Sequence, residues 1–288
     1  MLKLPFANGA GPARFGEGHP AKSEMDAMVL KERVALVTGG GTGIGLAIAL
    51  AFLRKGARVA IGSRNPSHMK AGSDAVRSAG YEVMALGLDV TDPASVRAAV
   101  ETVVGRYGRI DILVNNAGLS GRTPINDHDN SRWDAILTTN LTGAYLCSKH
   151  ALQFMKDGEH GRIINMSSVL GRFGVPGYTA YCTAKHGIIG FTKALALEVA
   201  DRGITVNAIC PTWVDTAMTR QGIEETAASI GISPEEFRRQ AIHAVPIHRM
   251  VDASEVADLV VYLASPAAGG ITGQALNICG GATAGAGG

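Results

Sequence analysis

Short runs of Val, Ile and Leu alternate along the chain with longer segments whose apolar residues recur every three or four positions. Such short runs predict strands that are buried on both faces, and the longer segments predict helices. Because helices separate the strands, we expect an α/β domain with a parallel sheet and helices on both of its faces. The predicted strands are Val34–Thr38, Val59–Ser63, Glu82–Leu88, Ile110–Val114, Ile163–Met166, Ile204–Ile209 and Ala275–Ile278.

The start of one helix can be predicted from the sequence. Asp92 followed by Pro93 is typical of an N-cap and a first helical residue. Val96, Val100 and Val103 then repeat on one face of this helix, which we expect to pack on the sheet.

The pattern also predicts the domain limits. We expect one dinucleotide-binding and catalytic domain over residues 29–281, with a polar, helix-prone lid inserted at about 216–250. Residues 1–28, rich in Gly and Pro, and residues 282–288, almost entirely Gly and Ala, are expected to be flexible extensions.

Composition narrows the function classes. The 288 residues include 27 Lys and Arg against 25 Asp and Glu, so we expect no nucleic-acid partner. Apolar runs are too short for a membrane span, and the four cysteines show no C-x-x-C pair, which favours free thiols in the cytoplasm. His243 and His248 lack the pattern of a metal site, so no metal is expected.

A glycine-rich loop follows the first predicted strand: Thr38-Gly-Gly-Gly-Thr-Gly-Ile-Gly45, which then leads into a predicted helix over Leu46–Leu53. Glycines at this place let backbone N–H groups approach a pyrophosphate at the helix N-terminus. A phosphate loop of the Walker type is excluded because Leu46 stands where its lysine would be. A glycine-rich turn without a ligand is the alternative. The predicted dinucleotide contacts are Gly39, Thr42, Gly43, Ile44 and Gly45.

The second predicted strand ends at Ser63 and is followed by Arg64, at the place where a site selective for NAD has a carboxylate that binds the ribose hydroxyls. An arginine at this position can pair with a 2′-phosphate. The pattern therefore favours NADP over NAD, with a solvated surface arginine as the alternative.

Ser167 and Ser168 come just after the fifth predicted strand, and Tyr181 and Lys185 follow, four residues apart from each other. Residues i and i+4 share one face of a helix, and an ammonium near a phenol lowers the pKa of the phenol. Tyr181 is thus a candidate general acid–base. Adjacent residues of an extended chain face opposite ways, so only one of the two serines can point inward.

With these elements in order, the sequence resembles the short-chain dehydrogenase/reductase family over about residues 31–281. Further marks are Asp89-Val90, the run Asn115-Asn116-Ala117-Gly118, Asn140, and the 13 residues that separate Ser168 from Tyr181. The resemblance implies a single-domain, Rossmann-type, doubly wound parallel sheet of seven strands, and a homotetramer.

The resemblance also implies a catalytic set of Asn140, Ser168, Tyr181 and Lys185. In that family the nicotinamide delivers hydride and Tyr181 would exchange the proton. Ser168 would bond the reacting oxygen, Lys185 would lower the tyrosine pKa and hold the nicotinamide ribose, and Asn140 would hold a water. The further cofactor contacts implied are Asp89, Val90, Asn116, Ala117, Gly118, Pro211, Val214 and Thr216.

The sequence departs from the family pattern at one place, and its C-terminal half indicates a substrate class. The usual Pro-Gly after the sixth strand is Pro211-Thr212 here. The C-terminal half looks like 3-oxoacyl reductases and aromatic polyketide ketoreductases, which use NADPH. An NAD-dependent 3-hydroxybutyrate-type dehydrogenase and a catalytically silent nucleotide-binding regulator are the alternatives. The expected walls of a pocket for a ketone or thioester-linked ketone are Ser120, Phe173, Tyr178 and Trp213.

Overall fold

The computed structural model describes residues 28–284, so the predictions for residues 1–27 and 285–288 lie outside it. Its sheet is entirely parallel, with the strand order β3-β2-β1-β4-β5-β6-β7. The predicted seven-stranded, doubly wound α/β fold is confirmed. The strands are β1 Val34–Thr38, β2 Arg58–Ser63, β3 Met84–Gly87, β4 Ile112–Asn115, β5 Gly161–Met166, β6 Ile204–Pro211 and β7 Ala275–Ile278.

Helices cover both faces of the sheet. α1, α2 and α9 pack on one face, while α3, α5 and α6 pack on the other. A π-helical turn, Thr138–Thr142, joins α4 to α5, and a 3₁₀ turn, Val169–Gly171, follows β5. The α-helices are α1 Gly43–Arg54, α2 Pro66–Ser78, α3 Pro93–Tyr107, α4 Ser131–Leu137, α5 Gly143–Ala151, α6 Thr179–Glu198, α7 Ala217–Ile230, α8 Pro234–His243 and α9 Ala253–Ala264.

Local sequence explains several boundaries. α3 begins as predicted, because the Asp92 side chain accepts a hydrogen bond from the backbone N–H of Ala94. β3 and β4 begin two residues later than predicted, at Met84 and Ile112. α1 begins at Gly43, three residues before the predicted start, so the last glycines of the loop belong to its first turn.

The segment predicted as a lid holds the helices α7 and α8, which follow β6. The chain order reverses between β1 and β4, so the loops after these strands flank a crevice at the carboxyl edge of the sheet. That crevice is the expected place for a ligand in an open α/β sheet. Within residues 28–284, no helix has the length and apolar character needed to cross a membrane.

Candidate active site

The first turn of α1 has backbone donors to offer a ligand. Its N-cap, Thr42, makes no side-chain capping bond, whereas the caps of α2 and α3, Asn65 and Asp92, each accept a bond from a backbone N–H. Gly43 has a φ of +54°, which a residue with a side chain rarely adopts. An uncapped, glycine-lined helix N-terminus suits an anion such as a pyrophosphate.

The loop after β4 packs directly on the glycine-rich loop. The Asn116 side-chain amide donates to the carbonyl oxygens of Thr38 (2.9 Å) and Gly39 (3.2 Å). The Thr38 hydroxyl accepts from the backbone N–H of Asn116 and Ala117. A Cβ on Gly45 would lie 2.5 Å from Asn116 Nδ2, so only glycine fits there. These contacts fix the shape of a nucleotide-binding crevice.

At the far end of the crevice, Arg64 Nη1 lies 3.8 Å from Asp89 Oδ2. Hydrogen bonds from Thr91, with a smaller contribution from Arg64, hold the pKa of Asp89 below its ordinary value. Arg64 follows Ser63 at the end of β2, and its side chain is 56% exposed, so its guanidinium is accessible to a phosphate. Val90 is buried, and its side chain packs on the first residue of α5.

Tyr181 and Lys185 lie one turn apart on α6. Lys185 is 5% exposed; its ammonium donates to the carbonyl oxygen of Met166 (2.7 Å) and lies 5.4 Å from the centre of the Tyr181 ring. Ser168 lies within hydrogen-bonding reach of Tyr181 and accepts a bond from the backbone N–H of Leu170. A hydroxyl, a phenol and an ammonium therefore converge at one point.

Burial dominates the acid–base properties of this group. It raises the pKa of Tyr181 to about 12, a shift that the hydrogen bond with Ser168 opposes only in part. Burial also lowers the pKa of Lys185 to about 8. The predicted downward shift of the tyrosine pKa is therefore wrong for the protein by itself, because burial of the phenol disfavours its charged form.

The two adjacent serines face opposite ways. Ser167 Oγ donates to the backbone carbonyl oxygen of Lys185 (2.9 Å) and so supports α6, while Ser168 faces Tyr181. A Cβ on Gly171 would lie 2.6 Å from Ser167 Oγ, so the 3₁₀ turn after β5 lies this close to the serine only because residue 171 is glycine.

Asn140 lies in the π-helical turn, an irregularity that is frequent at functional sites. Its amide nitrogen donates to the carbonyl oxygen of Leu119 (2.8 Å), and its amide oxygen accepts from the N–H of Leu119 (2.7 Å). The side chain thus fixes the loop after β4. Asn140 was predicted to hold a water. Because these two bonds use one N–H and one lone pair of the amide, such a water would bond to the second N–H or to the second lone pair.

A cavity of about 120 Å³ brings these elements together. Four of its lining residues, Leu119, Met166, Met218 and Thr219, were not predicted, because they belong to no motif. Met218 and Thr219 could have been found from the sequence, because Thr216 is a typical N-cap residue and they follow it closely. Its hydroxyl accepts a hydrogen bond from the N–H of Thr219 and so fixes the first turn of α7. The lining residues are Ile44, Asn116, Gly118, Leu119, Met166, Ser167, Ser168, Tyr181, Lys185, Pro211, Thr212, Val214, Thr216, Met218 and Thr219.

None of the four predicted substrate residues lines this cavity as the structure describes it. The hydroxyl of Tyr178 is hydrogen-bonded to Thr226 Oγ1 on α7 (2.8 Å). The Trp213 ring meets the ring of Phe237 on α8 edge to face, with the ring centres 6.2 Å apart. Both side chains thus contact the lid helices, while Ser120 and Phe173 are partly exposed elsewhere.

A larger groove of about 360 Å³ lies beside Thr123 and Thr179, and it is lined by Asp127, Asp129 and Asp134. None of the predicted catalytic or cofactor residues lines it. The smaller cavity is therefore the candidate active site.

Comparisons with known proteins agree with this geometry. A family model described as Enoyl-(Acyl carrier protein) reductase matches residues 39–283. A Streptomyces virginiae protein named for a ketoacyl reductase of the monensin polyketide synthase is 44% identical over 251 residues, covering 86% of this chain and 96% of that protein. The 3-oxoacyl-(acyl-carrier-protein) reductase FabG of Escherichia coli (strain K12) is 39% identical over 254 residues, covering 88% and 98%.

Among solved structures, a variant of actinorhodin polyketide ketoreductase with NADPH matches with a TM-score of 0.83 and 40% identity. The match covers 89% of this chain and 98% of that chain. The similarity therefore extends over nearly all the described residues and is not confined to the glycine-rich loop.

Proposed function

The chain belongs to the short-chain dehydrogenase/reductase family of oxidoreductases, and on this premise we propose that it uses NADPH to reduce a 3-oxoacyl or polyketide-like ketone to a secondary alcohol. The observation that carries the proposal is the cavity in which Ser168, Tyr181 and Lys185 meet the glycine-rich loop. The ketoacyl reductases among its relatives support the substrate class.

The residues present fit a dinucleotide. The uncapped first turn of α1 offers N–H donors to a pyrophosphate, and the close approach of Gly39 and Gly45 to the loop after β4 leaves no room there for side chains. NADPH, when bound, supplies the hydride for the ketone carbon. Arg64 would hold the 2′-phosphate and Lys185 the nicotinamide ribose, with Asp89 and Val90 at the adenine.

The protein supplies the proton. Tyr181 is a neutral phenol at the pH of the cell, because its pKa is about 12, so it holds the proton that a ketone oxygen needs during reduction. Ser168 donates a hydrogen bond to the same oxygen and stabilises its developing negative charge. As the C=O double bond of the ketone becomes the C–OH single bond of the alcohol, the ketone oxygen takes the proton of Tyr181, whose O–H bond breaks and leaves a phenolate.

Lys185 stabilises that phenolate. Its pKa of about 8 keeps most of it as ammonium at neutral pH, and its nitrogen lies 5.4 Å from the ring centre. A cation at this distance stabilises the tyrosine only in its charged form. Because this form develops during proton transfer, Lys185 stabilises the transition state more than the ground state. Asn140 keeps Leu119 against the cavity through its two hydrogen bonds.

An NAD-dependent alcohol dehydrogenase of the 3-hydroxybutyrate type is the second candidate. The exposed Arg64, in place of a carboxylate after β2, favours NADPH over NAD. A silent nucleotide-binding regulator has no need for a matched hydroxyl, phenol and ammonium, so their convergence supports an enzyme.

The test is the initial rate of NADPH and NADH oxidation with three substrates: a short 3-oxoacyl thioester, an aryl ketone and an enoyl thioester. We expect turnover of the 3-oxoacyl thioester with NADPH, and none with the enoyl thioester. The variant Tyr181→Phe should bind NADPH but not turn over. Equal rates with NADH would contradict the cofactor assignment, and activity on the enoyl thioester alone would contradict the reaction.

We also propose a homotetramer in the cytoplasm, with residues 29–281 as the functional domain and residues 216–250 as its lid. Family resemblance supports the tetramer, and light scattering on the purified protein tests it. A monomer or dimer would contradict it.

A further inference from the structure

A charged cluster joins α7, the first helix of the lid, to the body of the protein. Arg132 Nη2 on α4 donates to Glu225 Oε1 on α7 (2.6 Å), and Gln221 donates to the same oxygen (2.9 Å). The backbone N–H of Arg122, in the loop after β4, reaches Glu225 Oε2 at 3.4 Å. Arg132, Glu225 and Gln221 are called the α7 latch below.

Glu225 and Arg132 of the α7 latch are partly buried, and Arg132 packs closely on the loop after β4. The Glu225 side chain is 24% exposed, so its charge is partly desolvated. The guanidinium of Arg132 lies against Gly121, and a Cβ at that position would overlap the guanidinium where it now lies. A partly buried carboxylate with three donors contributes more than a solvated surface ion pair.

A second contact ties the same helix to α6. Tyr178, which comes one helical turn before Tyr181, bonds through its hydroxyl with Thr226 on α7. The guanidinium of Arg122 lies 5.9 Å from the centre of the Tyr178 ring. The residue next to Glu225 is thus bound to the chain segment that leads into the catalytic helix.

The position of α7 affects the active site directly. Its first turn places Met218 and Thr219 in the lining of the cavity, two turns before Glu225. Glu225 lies in the second half of α7, and contacts that hold this part of a rigid helix also position its first turn. Loss of the α7 latch would therefore displace two of the residues that line the cavity.

We propose that Glu225, through Arg132, is a positioning residue that holds α7 closed over the cavity and thereby sets the affinity for the ketone substrate. Glu225 and Arg132 are 93 positions apart in the sequence, and within residues 28–284 no hydrogen bond or ion pair joins either of them to the candidate catalytic residues or to the glycine-rich loop. The assignment of a substrate role to this cavity rests on the proposed function.

The test is a double-mutant cycle with Glu225→Gln, Arg132→Gln and the double variant. Glu225→Gln should raise KM for the ketone by about threefold to tenfold and change kcat by less than about twofold, because the latch contacts no reacting atom. The double variant should have about the KM of a single variant, since the two side chains act as one pair.

Glu224→Gln is the matched control. Glu224 is the preceding residue on α7 and is exposed, and no ion pair involves it in the described part of the chain. The control should leave KM within about twofold of that of the unaltered protein. An equal rise of KM in both variants, or additive effects in the cycle, would overturn the latch.

A second readout separates the latch from the proposed function. Trypsin cuts after Arg220, within α7, only when this helix opens. Glu225→Gln should be cut there about threefold to tenfold faster than Glu224→Gln. If the unaltered protein reduces no ketone, the proposed function fails and the trypsin comparison still decides the latch. Equal cutting rates would overturn it.

Discussion

Replacing Lys185 by Met is expected to stabilise the folded protein while it removes catalysis. Burial lowers the pKa of Lys185 from 10.5 to about 8. Each pKa unit corresponds to about 1.36 kcal/mol, so at pH 7 the buried ammonium costs the folded state about 3 kcal/mol relative to a residue that does not titrate. The variant also loses the hydrogen bond to Met166, which contributes about 1 kcal/mol. We expect a net gain of about 2 kcal/mol at pH 7.

The sign of the pH dependence follows from the same shift. The folded pKa of Lys185 lies below the unfolded value, so between pH 8 and pH 10.5 the unfolded chain holds more protons than the folded chain. The contribution of Lys185 to the stability of the unaltered protein therefore becomes less unfavourable as the pH rises through this window. The difference in unfolding free energy between the variant and the unaltered protein should shrink by about 2 kcal/mol from pH 7 to pH 9.5.

Urea unfolding at both pH values, at one protein concentration and without cofactor, measures this difference. Lys193→Met is the matched control, because Lys193 lies on the same helix and is exposed. If the difference in unfolding free energy stays constant between pH 7 and pH 9.5, the pKa of Lys185 is not lowered in the folded protein, since the loss of the hydrogen bond alone does not depend on pH.

Three further predictions concern the crevice. Arg64→Gln should lower the ratio of kcat/KM for NADPH to that for NADH by about tenfold to hundredfold, the loss of one charge-assisted phosphate contact; an unchanged ratio would remove Arg64 from the cofactor site. Gly45→Ala should cost about 1–3 kcal/mol of stability and weaken NADPH binding, because the new Cβ would lie 2.5 Å from Asn116 Nδ2; thermal unfolding and fluorescence titration check both. Ser168→Ala should lower kcat by about a hundredfold to a thousandfold, whereas Ser167→Ala should chiefly cost about 1 kcal/mol of stability, and the reverse order would exchange their roles.

The fold could be predicted because it depends on local patterns. The apolar runs that became β1 and β7 keep their predicted limits, and the Asp92-Pro93 signal marked the start of α3 correctly. The boundary of α1 was harder, because glycines inside its first turn look the same in sequence as glycines of a loop. Tyr181 and Lys185 lie together as predicted, because residues i and i+4 share one face of a helix.

The lid contacts could not be predicted, because they join residues far apart in the chain. Tyr178 and Trp213 are aromatic and lie near the motifs, so they were expected to form the pocket walls. They contact Thr226 and Phe237 on the lid helices. The acid–base state of Tyr181 was also missed, since desolvation depends on everything packed around a group and motif spacing carries no information about it.

Isotope labelling follows the transfer of hydride from NADPH to the ketone directly. The purified protein is given NADPH that carries deuterium at the transferable position of the nicotinamide, together with a short 3-oxoacyl thioester, and the product is analysed by mass spectrometry. We expect a 3-hydroxyacyl thioester with one deuterium on the carbinol carbon, and no such product from Tyr181→Phe. An unlabelled or unchanged thioester from the unaltered protein, or the same labelled product from Tyr181→Phe, would contradict the proposed reaction.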